Sequence, residues 1–307
     1  MNAPSRPRIG FAGVGLMGHG MARNLVEKGW PVAVLGHRNR TPVEDLVARG
    51  AREAADLADL ATGADVIILC VTGTPEVEDL IHRPRGILAT CRAGQIVIDT
   101  STSQPGSTLR SAEAFRAKDV RFVDAPLTRT PVEAEQGRLN TLVGADAATF
   151  AEIEPLLRGF CENVFHVGEV GAGHTLKLVN NFVAIGSVAL FAEAIVACAR
   201  LGVDPAQLVR LVSVGAVNSP MFQMVAGGAV EGDFGRMKFA LANAAKDMRY
   251  FAQEMADRKM AGVVAAAVGQ SLNQAIGLGF GTPDRMLAAL VQAQAQLNGV
   301  DLAASGS

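Results

Sequence analysis

The chain has 307 residues, enough for one large domain or two ordinary ones, and 49% hydrophobic against 19% charged residues leaves ample material for a core. A formal net charge of −2 offers nothing to attract nucleic acid or an anionic membrane, so neither is an expected partner. Cys70, Cys91, Cys161 and Cys198 lie far apart with no CxxC pair; they read as reduced thiols, and no His/Cys/carboxylate grouping has metal-ligand spacing, so no metal is expected.

The start, Met1 to Arg8, is polar and holds two prolines, unlike a signal peptide, which points to a cytoplasmic protein. The first strand is expected over Arg8–Ala12. It runs into Gly13-Val14-Gly15-Leu16-Met17-Gly18, and a helical pattern follows over Met17–Lys28. Strand, glycine turn and helix in that order form a pyrophosphate-binding turn: Gly13 for the tight turn, Gly15 for backbone approach to the diphosphate, Gly18 for close helix packing. The helix N-terminus adds unpaired donors and partial positive charge.

Gly29 stands at the expected C-cap, and the second strand follows over Pro31–Gly36. After it comes His37-Arg38-Asn39-Arg40, with no carboxylate until Glu44. An NAD site usually places Asp or Glu there for the ribose hydroxyl, whereas a 2′-phosphate wants guanidinium donors. Arg38, Asn39 and Arg40 therefore predict a preference for NADP(H) with NAD(H) possible, Arg38 first and Arg40 second as phosphate ligand. A helix over Thr41–Arg49 ends at Gly50; further strands are expected over Val66–Val71, Ile96–Asp99, Arg121–Val123, Leu142–Gly144 and Val164–Val167. Strand–helix alternation predicts a parallel sheet covered on both faces, an α/β Rossmann domain over residues 1–168.

Beyond Gly168 the β-alternation stops, and residues 169–307 read as an all-α C-terminal domain. His174 to Leu201 reads as one helix of roughly 40 Å at 1.5 Å per residue. Its apolar run holds Asn180, Asn181 and Glu193 beside Lys177, so a buried helix is expected, not a membrane span, packed along a second copy in a homodimer or homotetramer. Lys177 and Asn181, four apart, share a face, and Gly173 is expected to leave that face open to a ligand. A lysine on an apolar helix can titrate low and exchange a proton with a substrate oxygen, or it can simply snorkel from a helix end.

These residues resemble the β-hydroxyacid dehydrogenases, the group that includes 3-hydroxyisobutyrate dehydrogenase, tartronate semialdehyde reductase and 6-phosphogluconate dehydrogenase. The resemblance spans nearly the whole chain. The family's GxGxxxKxxxN appears as Gly171, Gly173, Lys177 and Asn181; its Asp-x-Ser-Thr as Asp99-Thr100-Ser101-Thr102; its Lys-Asp pair as Lys246-Asp247. The resemblance implies Lys177 as general acid/base, Asn181 holding the substrate beside it, Thr102 and Lys246 near the cofactor and Ser101 near the substrate. Val71-Thr72 replaces the family's Leu-Pro against the cofactor.

The substrate loop departs further. In place of Asp-Ala-Pro-Val-Ser-Gly-Gly stands Asp124-Ala125-Pro126-Leu127-Thr128-Arg129-Thr130. An Arg-Thr pair there is similar to sulfolactaldehyde reductase, and it implies Thr128, Arg129 and Thr130 as ligands for a substrate's acidic group. The expected reaction is hydride transfer between nicotinamide and a small anionic β-hydroxy acid or semialdehyde, with tartronate, succinic or methylmalonate semialdehyde or sulfolactaldehyde as substrate. The alternatives are an imine reductase on the same plan, a class that generally lacks the lysine, and a non-enzymatic NADP-binding protein.

Overall fold

The computed structural model describes residues 6–302; residues 1–5, on which the reading of the N-terminus partly rests, lie outside it. The chain divides into two compact units, the first ending at Lys177 and the second starting at Leu178. The division between these units falls inside a long helix.

The first unit is built on nine strands: β1 (Ile9–Ala12), β2 (Val32–Leu35), β3 (Arg52–Ala54), β4 (Val66–Leu69), β5 (Ile96–Asp99), β6 (Arg121–Asp124), β7 (Leu127–Thr128), β8 (Leu139–Gly144) and β9 (Cys161–Gly168). Their order is β3-β2-β1-β4-β5-β6-β8-β7, with β9 on β8. The six strands from β3 to β6 are parallel, the doubly wound dinucleotide order. The parallel sheet expected from the strand–helix alternation is present, and it is extended by an antiparallel part: β8 runs antiparallel to β6 and to the two-residue β7. The reason is local, because the β6–β7 and β7–β8 connections are too short for a parallel crossover. β3 and β7 went unread, being three and two residues long with no alternation to see.

The parallel strands read as unbroken apolar runs because both faces are covered. Along β4, Val66 and Ile68 join one core with Phe11, Leu25 and Leu46, while Ile67 and Leu69 join another with Leu60, Ile81 and Phe115. Helices α1 (Gly18–Glu27), α2 (Thr41–Ala48), α3 (Leu57–Gly63), α4 (Thr74–His82), α5 (Ile87–Thr90), α6 (Pro105–Arg116), α7 (Pro131–Glu135) and α8 (Ala147–Leu157) complete the layers. Gly29 and Gly50 turn the chain with φ of 77° and 109°, the left-handed region expected of them.

Helix α9 (Ala172–Arg200) runs 29 residues, about 40 Å, from the first unit into the second. The second unit is helical: α10 (Pro205–Ser213), α11 (Pro220–Phe222), α12 (Gly228–Val230), α13 (Leu241–Asp257), α14 (Val263–Ala275) and α15 (Leu290–Leu297), with π-turns at Gln223–Gly227 and Ile276–Phe280. Its core joins Ile185, Val188 and Ala192 of α9 to Leu241 and Met248 of α13 and Leu272 of α14. Two helical stretches, Ala172–Arg200 and Val263–Phe280, are long and apolar enough to cross a membrane by length and composition. In this fold both instead pack one side into that core.

Candidate active site

Strand order in the first unit reverses between β1 and β4, and a dinucleotide binds outside the carboxyl ends of the strands at such a switch. The turn Gly13–Gly18 leaves the end of β1 there. Its three glycines do three different things. Gly13 has φ of 102°, and a Cβ on it would lie 2.1 Å from the Cys70 carbonyl oxygen. A Cβ on Gly18 would lie 2.0 Å from the Gly13 oxygen. Around Gly15, by contrast, a Cβ would meet no atom within 4 Å. The turn is thus a closed scaffold with one open backbone face ahead of the α1 N-terminus, which fits a diphosphate.

Past β2, Asn39 Oδ1 accepts the Thr41 N–H at 3.2 Å and so turns the chain into α2. Arg38 is exposed and makes no hydrogen bond or ion pair among the described residues. Arg40, the second expected phosphate ligand, is occupied: its guanidinium donates to Glu53 Oε1 at 2.7 Å and Oε2 at 2.9 Å. Glu53 sits on β3, the strand missed in the sequence, which is why this partner went unseen.

The tips of β4 and β5 are laced together. Val71 N–H donates to Ser101 Oγ at 3.0 Å, and Thr100 Oγ1 donates to the Leu69 carbonyl at 2.7 Å. Asp99 accepts the Ser101 N–H at 2.8 Å and the Ser103 hydroxyl at 2.7 Å. Ser101, expected at the substrate, is buried and spends its oxygen on Val71. Thr102 is half-buried, and its hydroxyl has no partner among the described residues, which leaves it for a ligand beside Val71 and Thr72 at these strand ends.

The substrate-loop expectation needs correction. Arg129 has φ of 80°, where glycine is at ease and an arginine is strained. Its guanidinium donates to the Arg138 carbonyl and to the carboxylate of Glu162 on β9, and so is held inside the unit. Thr128 Oγ1 accepts from Asn140 Nδ2 at 3.2 Å across the β7–β8 pair. Thr130 is the N-cap of α7 in a capping box with Glu133, followed by Pro131. All three side chains have partners within the first unit, so the likeness to sulfolactaldehyde reductase finds no unpartnered anion ligand in them.

The start of α9 is moored to β6. The fully buried Asp124 carboxylate accepts the N–H of Gly171 and of His174, each at 2.7 Å. Burial pushes this carboxyl up from its ordinary range, against His174 and the two backbone donors, which pull it down. His174 is buried, with Nδ1 2.7 Å from Thr108 Oγ1 and Nε2 3.2 Å from the Ser101 carbonyl. Gly173 does not open a ligand face: a Cβ there would lie 2.3 Å from the Leu142 carbonyl oxygen and 2.9 Å from Asp124. The small residue lets the helix seat on β8 and β6, one turn before Lys177.

In the second unit Asn181 is buried, and its Nδ2 donates to Asp247 Oδ2 at 2.6 Å. Asp247 is 3% exposed; its other oxygen lies 3.2 Å from Lys246 Nζ. That ammonium stands 5.4 Å over the Tyr250 ring. Phe182 stacks on Phe251 at 4.7 Å and clamps α9 to α13 beside the pair. The amide of Asn181 is thus fixed in direction, on the helix face it shares with Lys177 one turn earlier. The residue reading leaves Asp124 without a role, although it stands inside the substrate-loop motif. Among the described residues no three His, Cys, Asp or Glu gather as a metal-binding set.

Fold and site together define a two-unit nicotinamide-dinucleotide oxidoreductase. The chain belongs to the β-hydroxyacid dehydrogenase family: residues 8–168 match the NAD binding domain of 6-phosphogluconate dehydrogenase, and residues 171–293 match the NAD-binding model of NADP-dependent 3-hydroxyisobutyrate dehydrogenase. It is similar to 2-(hydroxymethyl)glutarate dehydrogenase of Eubacterium barkeri, 32% identical over 74% of this chain and 77% of that one. It is also similar to chloroplastic glyoxylate/succinic semialdehyde reductase 2 of Arabidopsis thaliana, at 28% over 93% of this chain and 78% of the other. The solved 3-hydroxyisobutyrate dehydrogenase of Salmonella typhimurium superposes with a TM-score of 0.79 at 25% identity, over 93% of this chain and 99% of that one. The protein is an NAD(P)-dependent 3-hydroxyacid dehydrogenase or semialdehyde reductase.

Proposed function

We propose that this enzyme reduces a small carboxylate-bearing semialdehyde to its β-hydroxy acid, with NADPH preferred over NADH and Lys177 as the general acid. One observation carries the reading: Lys177 and Asn181 stand a turn apart on one helix face, and Asp247 holds the amide of Asn181 at 2.6 Å. The nicotinamide, when bound, supplies the hydride to the carbonyl carbon. Lys177 Nζ gives the oxygen its proton, and in the reverse direction takes it back. Asn181, with one N–H committed to Asp247 and its oxygen accepting from Asn180 Nδ2 at 3.4 Å, keeps its remaining N–H for the substrate. Exposed Arg38 supports NADPH as the preferred partner. The two named relatives act on acids, which supports a carboxylate-bearing substrate such as succinic or tartronate semialdehyde.

The test is Lys177→Met, which keeps the side chain's bulk and removes the ammonium. Turnover of a semialdehyde panel should fall by about 10² to 10⁴, the range a positioned proton donor supplies. NADPH affinity should stay within about threefold. Turnover within tenfold of the parent would remove Lys177 from the chemistry.

The same reading makes the protein a cytoplasmic homodimer or homotetramer that binds neither membrane nor nucleic acid. Leu176, Val183 and Leu190 form an exposed apolar row on α9 at seven-residue spacing, which supports a second copy there. Light scattering on the purified chain should give a multiple of 32.0 kDa, and a monomer at micromolar concentration would refute it.

A further inference from the structure

The ion pair between Arg40 and Glu53 lies where the cofactor's adenosine ribose is expected. β2 and β3 are in register with Val34 opposite Glu53, and Gly36 follows directly on β2. A Cβ on Gly36 would sit 2.4 Å from Arg40 Nη1 and 2.7 Å from Glu53 Oε1. The pair therefore lies flat on the backbone at the carboxyl tip of β2, the place in this fold that faces the ribose 2′ position. Both side chains are part-exposed, and the contact is a two-point fork rather than a passing approach. Nothing in the usual position at the end of β2 is acidic, so this carboxylate arrives from the neighbouring strand.

We propose that Glu53 sets the ratio of NADPH to NADH affinity. It holds Arg40 away from a 2′-phosphate and presents a carboxylate that a 2′-hydroxyl can donate to. Arg38 is left as the unpaired cation for the phosphate. The idea rests on the cofactor reading above, but it predicts a change in a ratio, whichever cofactor the parent prefers.

The experiment measures dissociation constants for NADPH and NADH by reduced-nicotinamide fluorescence, at fixed ionic strength, without substrate. The variants are Glu53→Gln and, as an independent replacement suited to an exposed edge strand, Glu53→Thr. Removing one negative charge about 6 Å from a doubly charged phosphate in water, and releasing Arg40 to it, should tighten NADPH by about tenfold. NADH should weaken by about two- to threefold as its hydroxyl loses the acceptor. In an Arg40→Gln background the gain on NADPH from Glu53→Gln should shrink to below about threefold. A ratio within twofold of the parent in both Glu53 variants overturns the proposal, and so does a full gain that persists without Arg40. A parent that binds NADH more tightly refutes the NADPH preference alone, because the shift in ratio is measured from whatever value the parent has.

Discussion

Gly15 and Gly18 stand three residues apart in one turn, and alanine should act on them in opposite ways. At Gly18 a Cβ would come within 2.0 Å of the Gly13 oxygen and 3.1 Å of the Phe11 ring. Reaching an ordinary contact means moving backbone by more than about 1 Å, and overpacking against backbone costs about 2–3 kcal/mol or more, against about 1 kcal/mol gained from alanine's helix propensity. Gly18→Ala should therefore lower stability by about 1–2 kcal/mol or more. At Gly15 no atom lies within 4 Å and φ is not left-handed, so the same change should leave stability level or raise it by up to about 1 kcal/mol through the unfolded chain. The methyl would, however, stand where diphosphate oxygens approach the N–H groups. Losing one charge-assisted bond of about 1.5–3 kcal/mol weakens cofactor binding by about tenfold to 150-fold. Denaturant unfolding gives the first quantity and reduced-nicotinamide fluorescence the second. A well-folded Gly15→Ala protein that binds NADPH within threefold of the parent would refute the placement of the diphosphate. A Gly18→Ala protein as stable as the parent would refute the packing argument.

Two further outcomes follow from side chains near the turn and the loop. Asp45 lies 2.8 Å from Arg49 and 2.9 Å from His19, and those two hydrogen bonds, Arg49 first, hold its carboxyl down to about 2 from the usual 3.8. A depressed carboxyl adds stability above its unfolded value and loses it as pH falls through the folded one, so Asp45→Asn should flatten the acid limb of a stability profile between about pH 4 and 2; an unaltered limb would count against the pairing. Arg129→Gly trades a part-exposed ion pair with Glu162, worth about 0–1 kcal/mol, for relief of a left-handed arginine, worth about 1 kcal/mol or more, so unfolding midpoints should barely move. If the guanidinium stays on Glu162, the KM for a semialdehyde should change by less than threefold in that variant. A tenfold rise would show that Arg129 leaves Glu162 to hold the substrate.

Much of this was legible in the chain because its signals are local. Of the six parallel strands, β1, β2, β4, β5 and β6 each carry a short apolar run. Gly13–Gly18 is a contiguous motif. Thr130-Pro131-Val132-Glu133 spells a capping box, although attention to Arg129 read it as a substrate loop. The lost elements are those whose stability comes from elsewhere. β3 and β7 are too short to show a period and exist because β2 and β8 offer edges to pair with.

The errors in the site share one cause, and it bears on how charge is read from a sequence. Arg40 and Arg129 each read as a ligand for an anion from their place in a loop of the motif. Arg40 finds Glu53 thirteen residues on, and Arg129 finds Glu162 thirty-three residues on, each on a strand that the sheet brings alongside. With both arginines bound to glutamate, Arg38 is the guanidinium of the three that has no partner among the described residues. Buried carboxylates follow the same rule in reverse. Asp124 and Asp247 do not offer charge to a ligand; they anchor the start of α9 and the amide of Asn181. If that division holds, removing Asp247 should disturb the direction of Asn181 before it disturbs cofactor binding, and the acid–amide pairing would then be part of how Lys177 and Asn181 are presented together.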